Sequence, residues 1–248
     1  SRLFGYLARV PLPGWLLNSI IAWYSKKYGV LVSEMRRPAL GFRTFNEFFT
    51  RKLKDGARVI DAGKGSVVSP VDARLDSFGD IRGDAVMQAK GIDYPLAGLV
   101  PSDTHREFLN GTFMTLDLSP GDYHRIHSPV DGEITGFFRI PGRLYTVQEF
   151  MVKGLRGLFA LNERLITYVK TERGLVAVCK IGAMNVGRIT ASYENRVQTN
   201  TWIRTRREHL YDEHSRIRVS RGDELGIFNL GSTVILLFQE GMVRLDPL

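Results

Sequence analysis

Apolar residues recur at two different periods along this 248-residue chain, and the change of period divides it. Within residues 12–24, Leu16, Leu17, Ile20, Ile21 and Tyr24 follow the spacing of a helix with one apolar face. Thr44-Phe45-Asn46-Glu47 has the form of a capping box, Thr44 capping and Glu47 reaching back, with Phe45, Phe48, Phe49 and Leu53 as the apolar face. From about residue 65 the pattern becomes alternation. Residues 112–118 alternate, residues 165–169 and 175–178 form a predicted hairpin across Thr171-Glu172-Arg173-Gly174, and residues 187–193 and 233–238 supply further strands. Short helical turns are predicted around residues 93–99 and 148–151, and the arginine-rich stretch 194–223 reads as a mobile loop. Strands and helices do not alternate, which argues against a doubly wound sheet. The expectation is a β-rich α+β chain, an antiparallel sandwich or partly open barrel with amino-terminal amphipathic helices. Residues 1–56 are expected to form a helical region and residues 57–248 a β-rich domain.

Composition narrows the classes. A chain that is 44% hydrophobic and 24% charged buries a full core and lacks the bias of disorder. Its single cysteine, Cys179, excludes an internal disulfide and lies in an apolar run, as a small buried hydrophobe does. The histidines and Cys179 lack the close ligand pairs of zinc sites, so no metal is expected. The net charge of +8 favours an anionic surface. Arg204, Arg206, Arg207, Arg216, Arg218 and Arg221 cluster, but no nucleic-acid-binding motif accompanies them, so no nucleic-acid partner is expected. The apolar stretch 12–24 is too short to span a bilayer, which takes about 20 residues. With Trp15, Trp23 and Lys26-Lys27 it fits a helix lying at a membrane surface, and the same pattern fits a helix packed on a core.

Chemistry concentrates in two places. Phe228-Asn229-Leu230-Gly231-Ser232-Thr233-Val234-Ile235 puts a Gly-Ser pair between apolar runs, and Asp122-Tyr123-His124-Arg125-Ile126-His127 offers imidazoles. If an imidazole takes the Ser232 proton, the hydroxyl can attack the Gly231 carbonyl and turn the amide into an ester. Glycine permits the close approach. Elimination and hydrolysis then leave a pyruvoyl group on the new amino terminus, an electrophile that can form a Schiff base with an amine. Residues three apart in a strand face opposite ways, so His124 and His127 serve one site only across an irregular backbone. Ser69-Pro70-Val71-Asp72 recurs as Ser128-Pro129-Val130-Asp131, and each copy is expected to open an outgoing strand. Asp131-Gly132 suits a tight turn, which mildly favours Asp72 as the chemical member.

Arg43-Thr44-Phe45-Asn46-Glu47-Phe48-Phe49, Gln88-Ala89-Lys90-Gly91, the run from Leu118 through His127 to Pro129, Asn162-Glu163-Arg164 and Gly226 through Thr233 occur here in order. In these the chain resembles the phosphatidylserine decarboxylase proenzymes, which cut themselves at a Gly-Ser bond. The resemblance implies a self-processing triad of Asp72, His127 and Ser232, with Ser232 becoming the pyruvoyl group, His127 its base and Asp72 stabilising the imidazolium. It implies that His124 transfers the proton of decarboxylation. It implies cleavage between Gly231 and Ser232 into fragments 1–231 and 232–248, and a homodimer peripheral to the cytoplasmic face of a bacterial inner membrane. Phosphatidylserine is the implied substrate and phosphatidylethanolamine the product. Three alternatives remain open: a serine hydrolase using Asp72, His127 and Ser232 without self-cleavage, a pyruvoyl decarboxylase of another amino acid, and a membrane-surface adaptor.

Overall fold

The computed structural model of the chain describes residues 2–89, 91–184, 188–202, 204–229 and 233–245. Its frame is an antiparallel sheet. The strand order is Arg207–Leu210, Gly132–Ile140, Arg164–Lys170, Leu175–Ile181, Thr233–Phe238, Thr112–Asp117 and Arg74–Asp80, and Ile217–Val219 also pairs with Gly132–Ile140. A smaller antiparallel sheet, in the order Arg188–Ala191, Glu224–Asn229, Arg125–His127, lies on one face. The β-rich α+β expectation holds, as an open two-sheet arrangement and not a closed barrel.

Period two explains the two cores. Val234, Leu236 and Phe238 pack with Val176, Val178, Ile189, Leu225 and Phe228 between the sheets. Ile235 and Leu237 point the other way, to Ala177, Cys179, Ile166, Phe159 and Leu99. The strand Thr233–Phe238 is therefore buried on both faces. Hydrogen-bonded partners flank it on both sides, Val234 opposite Lys180 and opposite Leu116.

At the amino-terminal end the helix Gly14–Tyr28 packs Leu17 and Ile21 against Phe48, Val30 and Met35. Most of its apolar stripe faces protein, while Trp15 and Trp23 stay exposed. Thr44 caps the short helix Phe45–Phe49 through a 3.1 Å bond from Glu47 N, and the Glu47 carboxylate accepts from Arg43 N, one residue before the cap.

Two expectations need correction. Residues 92–95 form a strand with Ala85–Ala89, and only Leu96–Leu99 is helical. The predicted loop 194–223 contains Arg207–Leu210 and Ile217–Val219, both paired with Gly132–Ile140. Charged side chains suit edge strands, which face water and must not recruit further chains, so polar composition concealed them.

Candidate active site

Gly231 and Ser232 lie outside the described residues; the strands that precede and follow them in the sequence are described. On one side the strand Glu224–Asn229 runs antiparallel to Arg125–His127, and Phe228 N donates to His124 O at 2.9 Å. The Asn229 side chain is held from three directions. Its Oδ1 accepts from Arg9 Nη2 and from Asn46 Nδ2, each at 3.2 Å, and its Nδ2 donates to Arg188 O at 3.1 Å. On the other side Thr233 pairs with Asp117 and with Ile181. Asp117 is half-buried, its carboxyl is pushed up to about 6 chiefly by burial, and it accepts from Thr233 Oγ1 at 3.4 Å.

His124 stands beside the first of these strand ends. It is fully buried, and its ring lies 4.1 Å from that of Phe49. Nδ1 is 2.8 Å from Asp122 O, and a carbonyl only accepts, so Nδ1 carries the hydrogen and Nε2 the lone pair. Nε2 has no partner among the described residues. Burial pushes the imidazole down to about 3, which leaves it neutral across working pH. Gly121 lets the loop before it pack tightly, because a Cβ there would meet Tyr28 O at 2.1 Å.

His127 lies elsewhere, as a three-residue offset along a strand requires. It lines a cavity of about 540 Å³ with Arg58, Asp72, Tyr123, Gly222 and Glu224. Its Nδ1 is 2.6 Å from Gly222 O and its Nε2 3.1 Å from Tyr123 Oη, so Nδ1 donates and Nε2 accepts the phenol hydrogen. The structure brings Asp72 and His127 to one cavity but does not join them. The Asp72 carboxylate takes bonds of 2.9 and 2.6 Å from Arg58 Nε and Nη2, and Arg58 also meets Glu34 at 2.9 Å. A compact guanidinium fork so near outcompetes an imidazole whose Nδ1 already has a carbonyl.

In both copies of the repeated tetrapeptide the serine closes a turn. Ser69 Oγ donates to Val71 O and Ser128 Oγ to Val130 O, each at 2.7 Å. The two turns also bond each other, His127 N to Pro70 O at 2.8 Å and Val68 N to Pro129 O at 3.0 Å. Each opens an outgoing strand, as expected. Each aspartate holds an arginine, Asp72 with Arg58 and Asp131 with Arg221. The echo thus places His127 next to the turn that carries Asp72.

A groove of about 770 Å³ opens between the amino-terminal helices and the sheet end, lined by Leu7, Leu12, Ile20, Trp23, Tyr24, Phe45 and Phe49 and by Asp117, Ser119 and Met184. It is apolar along the helices and polar where Asp117 enters it.

Comparison with known proteins decides the family. The family profile described as phosphatidylserine decarboxylase matches residues 45–247. The chain belongs to the phosphatidylserine decarboxylase family. A phosphatidylserine decarboxylase proenzyme of Anaeromyxobacter sp. is 43% identical over all of this chain and 87% of its own length. One from Myxococcus xanthus is 42% identical over 99% of this chain and 87% of its own, and one from Marinobacter nauticus 39% over 100% and 87%.

Several residues of this decarboxylase-family site escaped the sequence reading. Tyr123 lies inside the motif with the histidines, and that position was its only signal in the sequence; the structure puts its hydroxyl on His127. Arg58, Glu224 and Arg51 come from distant segments. Arg125 donates to Glu224 at 2.6 Å and, through Nε and Nη2, to Thr50 O, tying the short helix to the histidine strand.

Proposed function

We propose that this chain decarboxylates phosphatidylserine to phosphatidylethanolamine, in phospholipid biosynthesis, with a pyruvoyl group made from its own Ser232. The observation that carries the reading is a buried imidazole, His124, with an unpartnered Nε2 among the described residues, bonded through its backbone to the strand that leads into Gly231-Ser232. A buried lone pair without a donor fits a reacting group that sits beside it. A pyruvoyl group supplies an electrophilic carbonyl and an electron sink that ordinary side chains lack.

Self-processing is assigned to Ser232 as nucleophile on the Gly231 carbonyl and to His127 as its base. Asp72 supplies negative charge from the shared cavity, with Arg58 and Tyr123 as the groups that must yield to or relay the proton. Decarboxylation consumes one proton, and His124 Nε2 relays it from water to the substrate carbon that loses carbon dioxide, ending unprotonated as it began. The pins on Asn229, and the strand pairing of Thr233, keep both sides of the broken bond in place. Among the described residues no helix is long and apolar enough to cross a membrane. Trp15 and Trp23 are exposed on the helix that borders the groove, which supports peripheral attachment to an anionic leaflet with the acyl chains toward the helices.

Intact-mass analysis tests the reading. Wild type should give fragments 1–231 and 232–248 with a blocked new amino terminus. Ser232→Ala and His127→Ala should give one uncut chain without decarboxylation. A wild-type protein that stays uncut and still turns over lipid removes the pyruvoyl proposal, and an uncut chain that cleaves esters is a serine hydrolase.

A further inference from the structure

We infer that Arg51 is a positioning residue for decarboxylation, holding through the Asp122 carbonyl the orientation and tautomer of His124. The inference rests on the role proposed above for His124. Arg51 Nη2 donates to Gly121 O at 2.8 Å and to Asp122 O at 3.0 Å. The second of these oxygens also receives His124 Nδ1. One carbonyl thus links the guanidinium to the imidazole. Phe49, two residues earlier in the same segment, covers the face of the ring. The segment therefore grips His124 in two ways, by its face and by its hydrogen-bond partner.

The choice of arginine is costly, and the cost points to function. Only 5% of Arg51 is exposed; its guanidinium lies 5.6 Å from the centre of the Phe48 ring, and its Nε and Nη1 have no hydrogen-bond partner among the described residues. Burial lowers its pKa from the ordinary value. A side chain needed only to fill space would be apolar and would leave no N–H unpaired. What arginine adds is a fixed donor to two successive carbonyls and a positive charge near His124. That charge opposes protonation of the imidazole, in the same sense as burial. The other groups facing Arg51 are the carboxylates of Asp122, on the histidine's own loop, and Asp72, and the phenols of Tyr24 and Tyr123. All four raise the pKa of Arg51 against its burial. With Nδ1–H pinned to Asp122 O, Nε2 is kept as the lone-pair nitrogen at the site.

The experiment combines nitrogen NMR of the histidine rings with kinetics on the full, self-processed protein. The His124 signal is assigned from a His124→Gln variant, and the protein is titrated from pH 5 to 8. Wild type should show His124 as the pure Nδ1–H tautomer without titration. In Arg51→Gln the signal should become a tautomer mixture or titrate inside that window. The same variant should cut itself normally and lose about tenfold or more in kcat with KM within about twofold, since misorientation of a proton carrier costs the chemical step. Its acid limb should also rise in pH. Arg51→Lys, which keeps a cation and donors, should recover most of the rate and the wild-type signal. An Arg51→Gln protein with an unaltered His124 signal, or with an unaltered pH profile and kcat, overturns the inference. If Arg51→Gln does not accumulate folded, Arg51→Lys decides: activity lost while the His124 signal is unchanged also overturns it. Failure of wild type to cut itself would sink the parent reading instead, and the NMR comparison would still judge Arg51.

Discussion

Replacing Lys180 by methionine should stabilise the protein at neutral pH and do so less as pH rises. Lys180 sits in the strand Leu175–Ile181 on the inter-sheet face, fully buried, with Nζ 2.5 Å from Thr167 Oγ1 and no carboxylate in reach among the described residues. Burial pushes its pKa from 10.5 down to about 7. Between those values the unfolded chain binds a proton that the native chain does not, so native stability rises with pH across that window and the penalty is complete below it. Giving up that proton costs about 4 kcal/mol at pH 7 and about 1 kcal/mol at pH 10, to order of magnitude. Methionine has similar bulk and no such cost. Thr167 Oγ1 keeps its 2.7 Å bond with Tyr193 Oη, so the substitution strands no polar atom there, and the lost Lys180 bond is worth about 1 kcal/mol. Lys180→Met should thus gain about 2 to 3 kcal/mol at pH 7 and nothing at pH 10. Urea unfolding of both sequences in the uncut Ser232→Ala background, followed by tryptophan fluorescence, keeps the transition that of one chain. Parallel pH curves for the two, or a variant less stable at pH 7, would refute the reasoning.

Two further outcomes follow from the site and the helices. Asn229→Ala removes the partner of Arg9, Asn46 and Arg188 just before the cleavage segment and should slow self-cleavage about tenfold, read on gels after rapid purification; a wild-type rate counts against the pinning role. Replacing exposed Trp15 and Trp23 by serine should weaken cosedimentation with anionic vesicles by about tenfold or more, and undiminished binding would place the membrane contact elsewhere.

Much of this molecule could be read from residue pattern, and the failures have physical causes. Thr233–Phe238 was legible because five consecutive apolar residues at strand length demand burial on both faces. The cap at Thr44 was legible because capping is local. Edge strands of the 194–223 stretch were not, since their register comes from Gly132–Ile140 and not from their own alternation. The sequence could place Asp72 and His127 near one another only by analogy, and it gave no sign that Arg58 takes the carboxylate. Lys180 did leave a mark, a single cation inside the apolar run 175–181, though nothing local says which way its amine turns.

The position of Thr233–Phe238 has a consequence for the lifetime of the enzyme. It lies between two bonded neighbours, under a second sheet, so on the cleavage proposed above the small fragment could not be exchanged without opening the whole molecule. A copy whose reactive end has been spent by a side reaction therefore has no spare part to receive. Renewal must come from the ribosome, one new precursor for each casualty.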